Sequence, residues 1–145
     1  MATLTSKLPI AARLLLGLIF FVFGLNGFLN FLPQPPVPEA AGSFLGALAA
    51  SGYFFPVLKA TEVAVGAALL SNRFVPLSLV VIAPVSIHIL LFHAVLAPSN
   101  MVVAVGVIVL NAYLGYAYRE SFRGVLKAKA EPTTASSALV RPATA

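Results

Sequence analysis

Few residues in this chain can do chemistry, and they stand where charge and polarity are hardest to accommodate. Lys59 and Glu62 lie inside an apolar stretch. Three residues apart, they are neighbours on one helical face, where an ammonium and a carboxylate can pair or exchange a proton. His88 and Asn26 are also set in apolar runs. Ionisable and polar groups in such segments are costly and usually face a bundle interior or a wet cavity. Together the four form a candidate polar site: Lys59 or His88 as hydrogen-bond donor and Glu62 as proton source, at the edge of an apolar slot. Each also has a structural reading. The Lys59/Glu62 pair can simply neutralise itself, and His88 can be a hydrogen-bonded packing residue.

The rest of the composition excludes more than it offers. There is no cysteine, so structural disulfides, thiolate metal sites, covalently held c-type haem and dithiol exchange by this chain are excluded. The two histidines, His88 and His93, are five apart, about 140° around a helix, and do not form the i, i+4 pair that binds metal. One helix also cannot place both on opposite faces of a haem. With only four acidic residues besides, there is no self-sufficient catalytic constellation, and no catalytic or metal-ligating residue is assigned. The net charge of +5 and pI near 10.0 do not point to nucleic acid, because the basic residues crowd at the ends of apolar blocks without interleaved aromatics.

Those blocks are the elements that must position the site. Of 145 residues, 60% are hydrophobic and 9% charged, with a mean hydropathy of +1.00, against roughly a quarter charged in an ordinary globular domain. The expected architecture is therefore all-α: one domain over 1–145, an integral membrane four-helix bundle whose main partner is the lipid bilayer. Spans are expected at about 14–31, 54–70, 74–97 and 101–118. The first contains Gly17, Gly24, Gly27, Asn26 and Asn30 and lacks an adjoining small-x-small cleavage site, so it reads as a retained helix and not a cleaved signal. Pro33, Pro35, Pro36 and Pro38 make a stiff external loop. Beyond them Ala40 to Ala50, with Phe44, Leu45 and Leu48 on one side, reads as a short interfacial or re-entrant helix. Pro84 should kink the third span, and Tyr113, Tyr116 and Tyr118 suggest an interfacial belt closing the fourth. The tail over 119–145 is expected to be disordered.

Charge fixes the expected orientation. If the second span crosses, Lys7, Arg13, Arg73, Arg119, Arg123, Lys127, Lys129 and Arg141 share one side, which is cytoplasmic by the positive-inside tendency, with both termini. Only Lys59 is left over. Counting from Arg73 and Arg13, Lys59, His88 and Asn26 lie about 20 Å deep, with Glu62 one turn nearer the cytoplasm. Gly17, Gly24 and Gly27 make a smooth stripe for helix packing, and Ala60, Ala64 and Ala68 repeat every four residues as its expected counterpart. Arg13 reads as a snorkelling anchor, and Asn111 as an interhelical hydrogen-bonding residue.

Several stretches together resemble one family. Ala12 to Phe28 (ARLLLGLIFFVFGLNGF), Ser51 to Pro56 (SGYFFP), Glu62 to Leu70 with Gly66, Asn72 to Pro76 (NRFVP) and the proline-bearing third helix are similar to the DoxX family, over about Ala12 to Tyr118. The resemblance implies a small four-helix protein of the bacterial inner membrane. Arg13, Glu62 and Arg73 match positions where the family carries those residue types. It also implies membership of a membrane redox system, with a redox-enzyme subunit or a second copy of the chain as partner and quinone as the molecule contacted. The absence of cysteine weighs against sulfur chemistry by this subunit alone. Two alternatives remain: a structural anchor whose basic tail recruits a cytoplasmic partner, and a small proton-coupled transporter using Glu62.

Overall fold

Asparagine and proline punctuate the chain into helices. In the computed structural model, which describes residues 2–33 and 36–129, these are α1 (Ala2–Leu29), α2 (Glu39–Ala50), α3 (Phe54–Leu70), α4 (Val75–Val95) and α5 (Met101–Ala117). Short 3-10 turns follow at Pro98–Asn100 and Arg119–Phe122, and no strand occurs among the described residues. α1 stops where Asn30 takes φ 49°, the left-handed conformation that asparagine tolerates, and its N–H bonds back to the Asn26 carbonyl at 2.9 Å. α3 stops the same way. Asn72 sits at φ 56°, its N–H reaching the Leu69 carbonyl at 3.2 Å while Arg73 N–H reaches that of Ala68 at 2.9 Å; the two bonds form a Schellman motif.

α1 begins well before Leu14, because hydropathy marks only the apolar part of a helix; Thr3, Thr5, Ser6 and Lys7 are compatible with helical backbone outside it. The expected disordered tail is ordered where it begins: Arg119 lies over the Tyr116 ring at 4.5 Å, and Phe122 packs on the core. The rest of that expectation, over 130–145, lies outside the described residues.

The core is built around the pairing of α1 with α3, the most extensive helix interface. It is antiparallel. A Cβ placed on Gly17 would meet Leu69 Cβ at 3.0 Å, one on Gly24 would meet Val63 N at 2.8 Å, and one on Gly27 would run into the Lys59 stem. From the α3 side, a Cβ on Gly66 would stand 2.5 Å from Phe21 N and 2.7 Å from its Cα. These four glycines let two backbones meet at a distance no side chain would permit. The alanine stripe does not take part: Ala60 and Ala64 are exposed and Ala68 only half-buried. Its four-residue period was compatible with a packing groove, but Ala60 lies about 200° around the helix from Glu62, and the face bearing Glu62, Gly66 and Leu69 turns inward.

Arg13 also departs from expectation. It is buried, and its Nη1 donates to the carbonyl of Leu69 and, at 3.4 Å, to that of Leu70. A cation placed on the last carbonyls of α3 answers both their unmet acceptor capacity and the negative end of the helix dipole. That local partner outweighs snorkelling to water.

α4 and α5 form the second antiparallel pair, linked by Asn111 Nδ2 donating to Ser86 Oγ at 3.4 Å, which in turn donates to the Ile82 carbonyl at 3.1 Å. Outside this core the helices carry Leu15, Leu18, Val80, Val102 and Val109 outward, a surface suited to lipid. The segments Lys7–Leu29 and Val75–Val95, each with mean hydropathy 2.3, are long and apolar enough to cross a membrane. α2 and α3, bent by 92°, add a third if the pair is taken as one span, and α5 is shorter.

The glycine contacts predict unequal responses to one methyl group. Gly66→Ala is expected to cost about 1–3 kcal/mol by overpacking against Phe21. Gly106→Ala, where a Cβ meets nothing within 4 Å, is expected to be neutral or stabilising by up to about 1 kcal/mol. Thermal melting in a mild detergent checks the pair; equal melting temperatures would contradict the packing described.

Candidate apolar cavity with a buried ion pair

The halves of the helices away from Arg13 and Arg73 do not close on one another. They leave a cavity of about 910 Å³ walled by all five helices, within the roughly 300–1,000 Å³ usual for small-molecule sites. α1 contributes Ile19, Phe20 and Phe23, and α2 contributes Phe44, Leu45 and Leu48, the apolar face expected of that short helix. α2 is turned 92° from α3 and meets α4 through the Phe44 and Phe92 rings at 6.2 Å. The turn between α2 and α3 is stabilised by Ser51, whose Oγ donates to the Leu48 carbonyl at 2.6 Å and accepts from Phe54 N–H at 3.3 Å.

Three of the four candidate polar residues, Lys59, Glu62 and His88, line this cavity. Lys59 Nζ lies 2.8 Å from Glu62 Oε2, with the side chains 22% and 5% exposed. The glycines explain how such a pair fits beside a helix. Glu62 enters the α1 interface next to Gly24, and the Lys59 stem crosses Gly27, where no Cβ blocks it. Small residues on one helix thus position the charges of its neighbour.

His88 faces the cavity from α4. Its Nδ1 lies 2.9 Å from the Pro84 carbonyl. A carbonyl only accepts, so Nδ1 carries the proton, and in the neutral ring Nε2 is left as an acceptor. His93, one further turn along and also lining the cavity, repeats the arrangement with the Ile89 carbonyl at 2.8 Å. Spacing alone does not group His93 with the site, since the five-residue offset separates it from His88 on the helix. A cavity this wide receives both.

Asn26 is not among the cavity residues. It is buried, and its Oδ1 accepts the Leu32 N–H at 2.7 Å, which ties down the chain as it leaves α1. Depth alone grouped Asn26 with Lys59 and His88; rotation about α1 turns it instead to its own helix end. Arg13 and Arg73 belong to the opposite end of the helices. Arg13 holds the last turn of α3, and Arg73 is exposed in the α3–α4 turn. Among the described residues, no three His, Cys, Asp or Glu side chains are grouped to hold a metal.

Chemically, the arrangement offers one ammonium with spare N–H donors, one carboxylate and two imidazoles on an otherwise apolar wall. Lys59→Met and Glu62→Gln are each expected to destabilise the protein, and the double variant to cost less than their sum. A double-mutant cycle on thermal or chemical unfolding should return a coupling of about 1–3 kcal/mol; strict additivity would mean that the pair does not form. The chain matches no protein-family model, and no curated protein or solved structure matches it.

Proposed function

We propose that this chain is a four-span subunit of a membrane redox system that holds a quinone-like molecule in the cavity bounded by Lys59, Glu62 and His88. The observation carrying the reading is the presence of a single ion pair and two histidines on the wall of an apolar space of ligand size. A quinone needs a hydrogen-bond donor at a carbonyl oxygen and a source of protons when it is reduced, with apolar room for its tail. Lys59 Nζ serves the first need, the Lys59/Glu62 pair the second. With no cysteine in the chain, the electrons in this reading come from a partner subunit. The resemblance of Ala12 to Phe28 and the other stretches to the DoxX family supports the same assignment and a bacterial inner membrane.

The proposed topology has α1, α3, α4 and α5 crossing, with both termini cytoplasmic. α3 and α5, each 17 residues, reach about 25 Å. That is slightly short of a hydrocarbon core of roughly 30 Å, a mismatch that modest local thinning accommodates. Arg13 at the C-terminal end of α3 supports α1 and α3 running in opposite directions through the bilayer, with the basic residues gathered on one face.

Two measurements test these statements. Protein purified in mild detergent is expected to retain quinone on lipid extraction, and Lys59→Met to lose most of it while remaining folded; a wild-type protein free of quinone and without effect on quinone turnover in its membranes would refute the reading. Single cysteines introduced at positions 7 and 127, in a chain with none of its own, should both be protected from a membrane-impermeant maleimide added from outside the cell. Labelling of one and not the other would overturn the topology.

A further inference from the structure

The charge balance of the cavity carries a consequence for what it binds, resting on the reading of this cavity as a ligand site. We propose that the site selects lipid-borne amphiphiles with an uncharged polar head and discriminates against anionic and cationic heads on the same tail.

Access comes from the lipid. Of the lining side chains that also reach the surface, Phe44, Leu91, Val95 and Val103 are apolar and His88 is the polar one, whereas Phe20 and Val107 are buried. A guest arriving across such a surface is itself largely apolar, and its polar end must find partners at the charged part of the wall.

That part is already neutral. Lys59 and Glu62 lie 2.8 Å apart, and wherever the proton between them resides, the pair carries no net charge. The lining side chains of α1, α2 and α5 are all apolar, and α4 adds only His88 and His93 as titratable groups. Both imidazoles donate from Nδ1 to backbone carbonyls of their own helix. A guest with a charged head therefore enters an apolar space without a counter-charge, a costly state. An anion could gain Lys59 only by displacing Glu62, leaving a carboxylate that is 5% exposed without its partner. An uncharged hydroxyl or carbonyl head avoids both costs. It accepts from the Lys59 ammonium, which has two N–H groups beyond the one facing Glu62.

The test compares probes with one tail and three heads: hexadecanol, hexadecyl sulfonate and hexadecyl trimethylammonium. They compete against a fluorescent fatty-alcohol probe bound to the full-length protein in nanodiscs. The alcohol is expected to displace the probe at least about tenfold more effectively than either ion, a ratio suited to an uncompensated charge in an apolar site. Glu62→Gln leaves Lys59 unpaired and should make the sulfonate the preferred competitor. Lys59→Gln should favour the trimethylammonium probe. The double variant Lys59→Gln/Glu62→Gln should restore preference for the alcohol, which separates charge balance from a folding defect in either single variant. Equal displacement by all three heads in the wild type, no switch in the folded single variants, or no displacement by any probe would overturn the proposal. Alcohol selectivity in a protein that retains no quinone would defeat the redox reading and leave the selectivity standing; retained quinone with no head-charge selectivity would do the reverse.

Discussion

The close approach of α1 to α3 is the contact on which the rest of the structure depends. Gly17, Gly24 and Gly27 on one helix and Gly66 on the other bring the backbones together where any Cβ would collide. In lipid, helices gain nothing from hiding apolar surface from one another, so close packing and interhelical hydrogen bonds must hold them. Arg13 adds such a bond at one end by donating to the Leu69 carbonyl. At the other end the same close approach makes room for the Lys59 stem and the Glu62 side chain. Packing and site are therefore one feature: the glycines that join the helices also set the ion pair against the cavity.

The pair accounts for the economy of charge elsewhere. Taking two ions out of water is expensive, and their attraction offsets that cost only when geometry is good and both are paired. A contact of 2.8 Å between residues three apart on one helix meets the condition without relying on a second element to supply the partner. Apart from His88 and His93 the remaining wall is apolar, so few polar groups are available to hold a guest. α2 adds Phe44, Leu45 and Leu48 to the wall, bent 92° away from α3 and meeting α4 through Phe44 and Phe92.

How much was legible beforehand follows from which signals are local. Most element positions were, because proline and apolar run length mark them: α2 after Pro38, α3 over Phe54–Leu70 and α5 from Met101 lie where the sequence places them, whereas α1 starts at Ala2, well before the expected Leu14. The Lys59/Glu62 contact was equally legible, since i, i+3 spacing on one helix needs no tertiary information. Rotation about the helix axis was not. It turned Asn26 from the polar layer to the end of α1, and it turned Ala60 and Ala64 outward despite their suggestive period. Arg13 misled for a related reason, since the free carbonyls that bind it belong to a helix more than fifty residues away in the chain. His93 could be grouped with His88 only once the width of the cavity was known.

The central claim is that a distinct lipophilic molecule occupies the space beside Lys59 and Glu62. Photocrosslinking in intact membranes tests it most directly, with benzoylphenylalanine in place of Phe92 on the cavity wall and, separately, of Val102 on the outer surface. The account predicts that position 92 captures a lipophile absent from the adducts at position 102, which should carry bulk phospholipid alone. Identical adducts at the two positions would contradict it.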